Sequence, residues 1–582
     1  MTTIRQYYSS KRFIHIWAIL ALCELNLLVM HYHILLYSHL ECEVDITTYI
    51  DNFCGLTFDL SILFILFFLV TKKNIKLTCI FCFLITWLWS LSNVLYSRFF
   101  FHYLTISAIG QSDVLGSSII LKSIISKIQW TDIYYLVIFL PFVSFFNNKI
   151  PLKNTIRIKK LLYLPFILLL AELCIHACYV FSDSKLASLG YYRYRLSILH
   201  VSKSRFSLQP NYIHFIRGSF RTLAIDISNS CQGNIKLSEK NLNEIQYYIK
   251  SSQNISFTNS NINPDNIIFI LVESYMSFVS DITINGIEVT PFLNSLRNDS
   301  SVYFNRHMQE NVTIGESSDG QFIYLTGLLP LRSSITISKA KDNTLPGLPK
   351  CLNMKSRMII PTIASMWRQD EMCEQYGFDD LFTSSDFIGM SNDILNDEQV
   401  FKLAKQKDIE NHGRFFSFII TMSMHQPYTE QIDSTFIIPT SKTISKEFAC
   451  YLNACHYTDQ QIKQYFHHLK KINIFDNSLI VIASDHAVHC TDFGGVSKDL
   501  PFYIIYSKGL QRNTIRDKKC NQVDVYPTLI DLLGIKSDWY GLGNSLLSTK
   551  NGEDDISSKK WDISELIIQS DYFASYHSHP SN

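Results

Sequence analysis

The first 181 residues of this chain contain apolar stretches of bilayer length, and a segment of roughly 20 such residues buries its backbone in lipid only as a helix. Five spans are expected, at about 13–37, 53–71, 77–96, 132–146 and 161–181, the fourth being the shortest. The first is too long for a signal-peptide core and no small-residue cleavage pattern follows it, so it reads as a retained anchor. Lys and Arg are held on the cytoplasmic side of such spans. Arg5, Lys11 and Arg12 precede the first span, Lys72, Lys73 and Lys76 fill the second connection, and Lys149, Lys153, Arg157, Lys159 and Lys160 fill the fourth. The first connection carries Glu41, Glu43, Asp45 and Asp51 with no Lys or Arg, and the third has only Arg98, Lys122 and Lys127. The amino terminus is therefore expected inside, and five crossings put everything after Phe181 outside. Glu24, His31, Asp59 and Glu172 lie within spans, where an ionisable group is expensive. They serve function or pair between helices, and their spacing marks no ion path.

The formal net charge of +1 argues against a nucleic-acid partner, whose footprint is a basic patch. Of fourteen cysteines, Cys23, Cys79, Cys82, Cys174 and Cys178 lie in spans and act as small hydrophobes. On the expected topology the others face an oxidising side, where Cys231, Cys351, Cys373, Cys450, Cys455, Cys490 and Cys520 are an odd set. At least one is then free or pairs with Cys42 or Cys54, and sequence does not fix the connectivity.

The second half is a different material. Residues 182–264 are polar and rich in Ser, Asn and Tyr, as in a linker packing along a domain. Residues 265–547 alternate strand and helix patterns, with strands expected at 267–272, 358–364, 415–421, 479–483 and 502–506 and a long helix at 449–472. That alternation argues for an α/β layer with a mostly parallel sheet. The polar tail, 548–582, reads as a mobile extension.

Two of the apolar runs end in metal-friendly side chains. Ile267-Ile-Phe-Ile-Leu-Val272 runs into Glu273, and Leu479-Ile-Val-Ile-Ala483 runs through Ser484 into Asp485-His486. Continuous aliphatic runs mark buried strands of a parallel sheet, and ligands of open α/β sheets sit outside the carboxyl ends of such strands. Either acid alone is equally well an ordinary polar residue after a strand; the pair and the histidine together point to a metal. Between the two runs lies Gly315-Glu-Ser-Ser-Asp-Gly320, followed by a helical pattern. Ser317 is the candidate nucleophile, because a helix amino terminus favours an incoming phosphate and a divalent cation lowers the proton affinity of a hydroxyl. The alternative is that Ser317 or Ser318 merely caps the helix, with Asp319 in its first turn.

Together these residues resemble the lipoteichoic acid synthase family, membrane-anchored members of the alkaline phosphatase and sulfatase superfamily. There a strand ends in glutamate, a Gly-x-Thr-Ser-Asp motif supplies a threonine nucleophile, and another strand ends in Asp-His; Glu273, Ser317 and Asp485-His486 match these positions. Serine in place of threonine keeps a hydroxyl. Val289-Thr-Pro-Phe-Leu-Asn294 and the segment from Cys520 to Gly534 are also similar to family wording. Met424-His-Gln-Pro-Tyr428 resembles a His-x-Pro motif whose histidine contacts the substrate. Trp367-Arg-Gln-Asp370 resembles a Trp-Asn-Arg-Asp motif that holds the headgroup, with the arginine displaced by one. Either Arg368 reaches the phosphate from a shifted backbone, or Gln369 occupies the old position without a charge.

The resemblance implies five transmembrane helices followed by a sulfatase-like α/β domain in the bacterial inner membrane, with the catalytic domain outside the cytoplasm. It implies Glu273, Ser317, Asp485 and His486 as metal ligands and His425, Trp367 and Arg368 as substrate contacts. Manganese is the metal the family typically uses, magnesium and zinc being compatible with the same donors. The implied reaction moves glycerol phosphate from phosphatidylglycerol, through a phosphoserine, to a glycan or polymer acceptor. A phosphoethanolamine transferase acting on lipid A or a glycan is the nearest rival. A sulfatase lacks its Cys-x-Pro-x-Arg or Ser-x-Pro-x-Arg maturation motif here, and a non-catalytic scaffold fits poorly with three ligands and a hydroxyl.

Overall fold

The described residues of the computed structural model are 2–37, 46–100, 102–110, 125–147 apart from 126, 214–230 apart from 216 and 217, 233–253, 262–387 apart from 298, 300 and 333, 394–428, 445–488, 498–510, 519–547 and 556–575, with Tyr163, Ile167 and Leu170. They form two compact units, one within 1–110 and 118–232 and the other within 233–582.

In the first unit α1 (Thr2–Tyr37), α2 (Ile46–Val70) and α3 (Ile75–Phe100) contain the stretches Ala18–Leu36, Asn52–Val70 and Ile75–Arg98, each long and apolar enough to cross a membrane. The expected fourth span is shorter, an apolar stretch over Trp130–Val143 built from the helices Ile133–Val137 and Phe139–Asn147. The expected fifth lies almost wholly outside the described residues. Polar groups inside the spans find partners, as burial in a medium without water requires. Glu24 accepts from Thr57 Oγ1 at 3.0 Å, Asp59 accepts from the Phe220 amide at 2.8 Å, and His31 Nδ1 bonds the Tyr103 hydroxyl. Pairing is thus the observed fate of these three, while Glu172 lies outside the described residues.

The second unit is built on an eight-stranded sheet: β1 (Asn266–Val272), β2 (Val302–Gln309), β3 (Lys355–Ile359), β4 (Asp380–Phe382), β5 (Phe415–Ile420), β6 (Ser478–Ser484), β7 (Leu500–Ile505) and β8 (Cys520–Asn521). Their spatial order is β8-β2-β7-β6-β1-β5-β3-β4. Only β7 runs against its neighbours β2 and β6, and every other pairing is parallel. All seven residues of β1 are buried, as the unbroken aliphatic run predicts for a central parallel strand. The helix expected at 449–472 is α6, Lys446–Lys471; before it in the chain come α4 (Ser317–Thr326) and α5 (Gln369–Tyr376), and α7 (Val525–Leu532) follows β8. The expected strand at 358–364 lies earlier, at Lys355–Ile359, because Pro361 has no N–H to continue a ladder.

Two expectations need correction. Residues 182–264, read as an irregular linker, include the helices Ser219–Ser230 and Glu239–Gln253. The 548–582 tail, read as a mobile extension, contains α8 (Ser558–Ser570), which buries Ile563, Ile567 and Ile568. Its Ser564 hydroxyl bonds both the amide and the carbonyl of Leu329, and Glu565 takes the buried Arg332 guanidinium at 3.0 Å. The cysteines described in this unit, Cys351, Cys373, Cys450, Cys455 and Cys520, are all free thiols.

Breaking a buried pair leaves an uncompensated charge. Glu565→Ala is expected to destabilise the protein by about 2–3 kcal/mol, toward the low end for such pairs because Arg332 keeps Asp562 at 2.6 Å. Denaturant unfolding of the full chain reads this, and a change below about 0.5 kcal/mol would show that α8 does not hold the domain.

Candidate active site

Strand register brings the first acids together. In the parallel pairing of β1 with β6, Val272 stands opposite Ser484, so Glu273 and Asp485 leave adjacent strands side by side at the sheet's carboxyl edge. A carboxylate oxygen of each and a ring nitrogen of His486 all lie within 4.8 Å of one another, and all three residues are buried. Asp485 Oδ1 accepts from the Ser274 and His486 amides, both at 2.7 Å, whereas its buried Oδ2 has no hydrogen-bond partner among the described residues. His486 Nδ1 lies 2.8 Å from the Ala487 carbonyl, which fixes a proton there and turns Nε2 toward the acids, 3.4 Å from Glu273 Oε1 and 3.6 Å from Asp485 Oδ2. An imidazole oriented through its far nitrogen and a buried carboxylate oxygen lacking a donor are what a divalent cation requires.

Ser317 completes the cluster. It is the first residue of α4, yet it does not cap the helix: the residue before the helix is Glu316, and no side chain makes the cap hydrogen bond. Ser318 Oγ turns back to the Gly315 carbonyl at 2.7 Å, and Ser317 Oγ turns outward, 3.3 Å from Glu273 Oε2 and 3.0 Å from His486 Nε2. The capping alternative fails for both serines.

Two carboxyl groups and an imidazole share this small buried volume. Burial alone would raise the Glu273 pKa, but hydrogen bonding and charge from His486, with the charge of His425, hold it below the usual carboxylate range. Burial and the Glu273 charge push Asp485 up to about 8. Burial would lower His486, and the charges of Asp485 and Glu273 override it and raise it well above the usual imidazole value. The cluster retains a proton that a metal cation would displace.

Several supporting residues escaped the sequence reading. Thr421, just past β5, accepts the Glu273 amide at 3.0 Å, and Ser274 Oγ donates to Glu273 Oε1 at 2.9 Å. Gln522, inside the segment whose wording is similar to the family's, donates to the Asp485 carbonyl at 2.7 Å and accepts from the Asn311 amide at 2.6 Å. Asp319, already legible in the motif, accepts from the Thr313 and Gly315 amides and so ties the loop ahead of Ser317. Gly320 lets α4 approach the metal cluster, since a Cβ there would sit 2.5 Å from the Asp485 carbonyl oxygen.

The residues expected to contact substrate divide. His425 follows β5, and its charge reaches Glu273. Trp367 and Arg368 hold consecutive left-handed backbone conformations, both at φ 52°. The Arg368 guanidinium, with 35% of its side chain exposed, pairs with Glu371 at 3.1 Å and makes no hydrogen bond to the cluster. Gln369, by contrast, is buried and donates to Gln321 of α4 at 2.9 Å. Of the two placements weighed from sequence, the buried one belongs to the glutamine.

Residues 265–535 match the Sulfatase family. The chain is 26% identical over 529 residues to lipoteichoic acid synthase 2 of Bacillus subtilis, covering 85% of this chain and 78% of that protein. It is 24% identical over 521 residues to the lipoteichoic acid synthase of Staphylococcus aureus, covering 82% and 76%. A solved structure of the lipoteichoic acid synthase LtaP of Listeria monocytogenes superposes with a TM-score of 0.47 at 20% identity, over 57% of this chain and 98% of that one. Fold, site and relatives define a sulfatase-like phosphotransferase with apolar amino-terminal helices. More narrowly, the chain is similar to the lipoteichoic acid synthases over most of its length.

Gly320→Ala is expected to cost about 1–3 kcal/mol, the range for overpacking, and to push Ser317 away from Asp485. Thermal unfolding reads the first effect and bound-metal content the second; a variant of wild-type stability and metal content would contradict the close approach.

Proposed function

We propose that the chain transfers glycerol phosphate from phosphatidylglycerol to a glycan or polymer acceptor outside the cytoplasm, with Ser317 as the nucleophile. Five crossings with the amino terminus inside would place the site, and the domain at 265–547, on that outer face. The observation that carries the reading is the Ser317 hydroxyl, turned away from its own helix and held against Glu273 and His486. The relatives' names, lipoteichoic acid synthase in both species, favour a glycerol phosphate substrate.

Glu273, Asp485 and His486, with Ser317 Oγ, would hold the divalent cation, manganese by resemblance and magnesium or zinc by the same donor set. When bound, the cation lowers the proton affinity of the serine hydroxyl and draws the donor phosphate. The chain's own groups do the rest. Ser317 Oγ forms a bond to phosphorus as the bond from phosphorus to the diacylglycerol oxygen breaks, and that oxygen leaves with a proton. An acceptor hydroxyl then attacks the phosphoserine, and Ser317 regains its proton as the Oγ–P bond breaks. His425 lies close enough to influence Glu273 and supplies an N–H for the phosphate. The amino-terminal helices keep the domain beside a lipid donor that never leaves the leaflet.

Ser317→Ala is expected to reduce diacylglycerol release by roughly ten-thousand-fold with an unchanged melting temperature. Mass spectrometry of the wild-type protein after incubation with mixed phospholipids should find glycerol phosphate on Ser317. Phosphoethanolamine on that residue would redirect the assignment, and a fully active alanine variant would end it. Metal binding should also respond to pH. Asp485, raised to about 8, and His486, raised well above the usual imidazole value, must lose their protons before ligating, so affinity rises with pH and falls as the medium is acidified from about 8 toward 6. Manganese titration calorimetry across that window measures it, and a flat profile would contradict the ligand set.

A further inference from the structure

We propose that Gln522 and Tyr324 are positioning residues for the transfer: through one buried network they hold the nucleophile helix α4 at a fixed distance from Asp485. This rests on the reading of Ser317 as nucleophile and of Glu273, Asp485 and His486 as metal ligands. Strand direction brings the parts together. β8 runs parallel to β2 with Asn521 opposite Gln309, and two antiparallel steps through β7 give β2 and β6 the same direction. The residue after β8, Gln522, therefore reaches the edge where β6 delivers Asp485. Gln522 and Tyr324 are both fully buried. Gln522 Nε2 donates to the Asp485 carbonyl at 2.7 Å and to the Tyr324 hydroxyl at 3.2 Å, and Oε1 accepts from the Asn311 amide at 2.6 Å. The Tyr324 hydroxyl donates in turn to the Ser484 carbonyl at 2.7 Å. The Asn311 N–H needs an acceptor and the two strand-end carbonyls need donors, so the amide fits in one orientation only.

This network meets Ser317 from both sides. Asn311 belongs to the loop before it, and Tyr324 lies two turns after it on α4. Between them Gly320 packs on the ligand itself, since a Cβ there would sit 2.5 Å from the Asp485 carbonyl oxygen and 3.0 Å from its Cα. With no side chain as a cushion, any shift of α4 against the end of β6 changes the spacing of Ser317 and Asp485. The Ser274 and His486 amides hold the Asp485 carboxylate, and Gln522 holds its main chain. A misplacement of about 1 Å can cost on the order of a hundredfold in rate, and loss of a group behind a metal ligand costs roughly ten- to a hundredfold in metal affinity or activity.

The test compares full-length wild type, Gln522→Met and Tyr324→Phe. Manganese affinity is read by titration calorimetry, and kcat and KM by diacylglycerol release from fluorescent phosphatidylglycerol in micelles. Gln522→Met should weaken manganese binding about tenfold and lower kcat about a hundredfold, with KM within about threefold of wild type. Tyr324→Phe, which deletes a single oxygen, should move affinity and kcat in the same direction by about tenfold, and it carries the test should Gln522→Met fail to fold. Ser545→Ala, which removes a buried hydrogen bond to Asp531, serves as a control that lowers the melting temperature without altering affinity or kcat. Affinity and kcat within about twofold of wild type in the network variants, or losses equalled by Ser545→Ala, overturn this inference alone. Because manganese affinity is read without turnover, a wild type inactive on phosphatidylglycerol overturns the phosphoglycerol reading and leaves the affinity comparison to decide the role of the network. A wild type that binds none of manganese, magnesium and zinc overturns the metal-site reading and this inference with it.

Discussion

Everything at the site depends on the parallel pairing of β1 with β6. A parallel ladder has a fixed direction, so both strands deliver their next residues to one edge of the sheet. The register that opposes Val272 to Ser484 makes Glu273 and Asp485 neighbours across more than two hundred residues of chain. A slip of one residue would turn every side chain of β6 to the other face and carry the Asp485 and His486 pair off the site. The ladder is protected from such a slip by burial on both sides, since all seven residues of each strand are buried. The chemistry thus rests on a hydrophobic register, and the polar contacts at the strand ends refine what the apolar runs have already decided.

Beyond the strand ends the backbone is bent against its preferences in four of the segments around the site, though not in the one that carries Asp485 and His486. Ser274 after Glu273, Glu316 before Ser317, the Trp367 and Arg368 pair, and Tyr428 after His425 all have φ between 47° and 57°. Such conformations cost on the order of 1–3 kcal/mol each in non-glycine residues and persist only where surrounding contacts over-determine them. The contacts are visible for the first two. The Ser274 amide is fixed by Asp485, and the loop before Glu316 is tied by Asp319 through two amides. Strain located at the very residues flanking the cluster supports the functional reading of these loops over one in which they merely join strands and helices.

The legible part of this structure was the part ruled by hydrophobic runs. β1, β5, β6 and β7 and the long helix α6 stand where the aliphatic patterns put them, because a buried strand or an amphipathic helix must show its periodicity in sequence. β2 was not legible: Asn305, Arg306 and His307 interrupt its apolar residues, and its register with β7 shifts between Asn305 and Met308. β4 and β8, three and two residues long, carry too little pattern to be seen. α8 was lost for a different reason. It docks through one narrow apolar stripe and through polar groups, Ser564 and Glu565, whose partners Leu329 and Arg332 lie more than two hundred residues away. At the site, the ligands were legible because strand ends are, whereas the fate of Arg368 and Gln369 was decided by two left-handed residues that no propensity foretells.

Buried aspartates recur throughout this domain, and comparing them shows what sets Asp485 apart. Asp459 gives one oxygen to the Leu293 amide and the other to the Phe292 amide. Asp524 divides its oxygens between the Asn544 and Asn521 amides. Asp397 accepts the Met422 and Ser423 amides on one oxygen and the Thr458 hydroxyl on the other. Each of these replaces missing backbone hydrogen bonds in a loop or, for Asp459, in the first turn of the helix Pro291–Arg297, which buried peptide groups demand. Asp485 does the same with Oδ1 alone and leaves Oδ2 buried, without a donor among the described residues, beside a second carboxylate and an imidazole. Leaving one open among like charges is destabilising for the isolated chain and becomes favourable only with a cation present. Asp319, which ties the loop ahead of Ser317 through Oδ2, also leaves its buried Oδ1 without a partner among the described residues, so the open oxygen marks a ligand at Asp485 only together with the second carboxylate and the imidazole beside it.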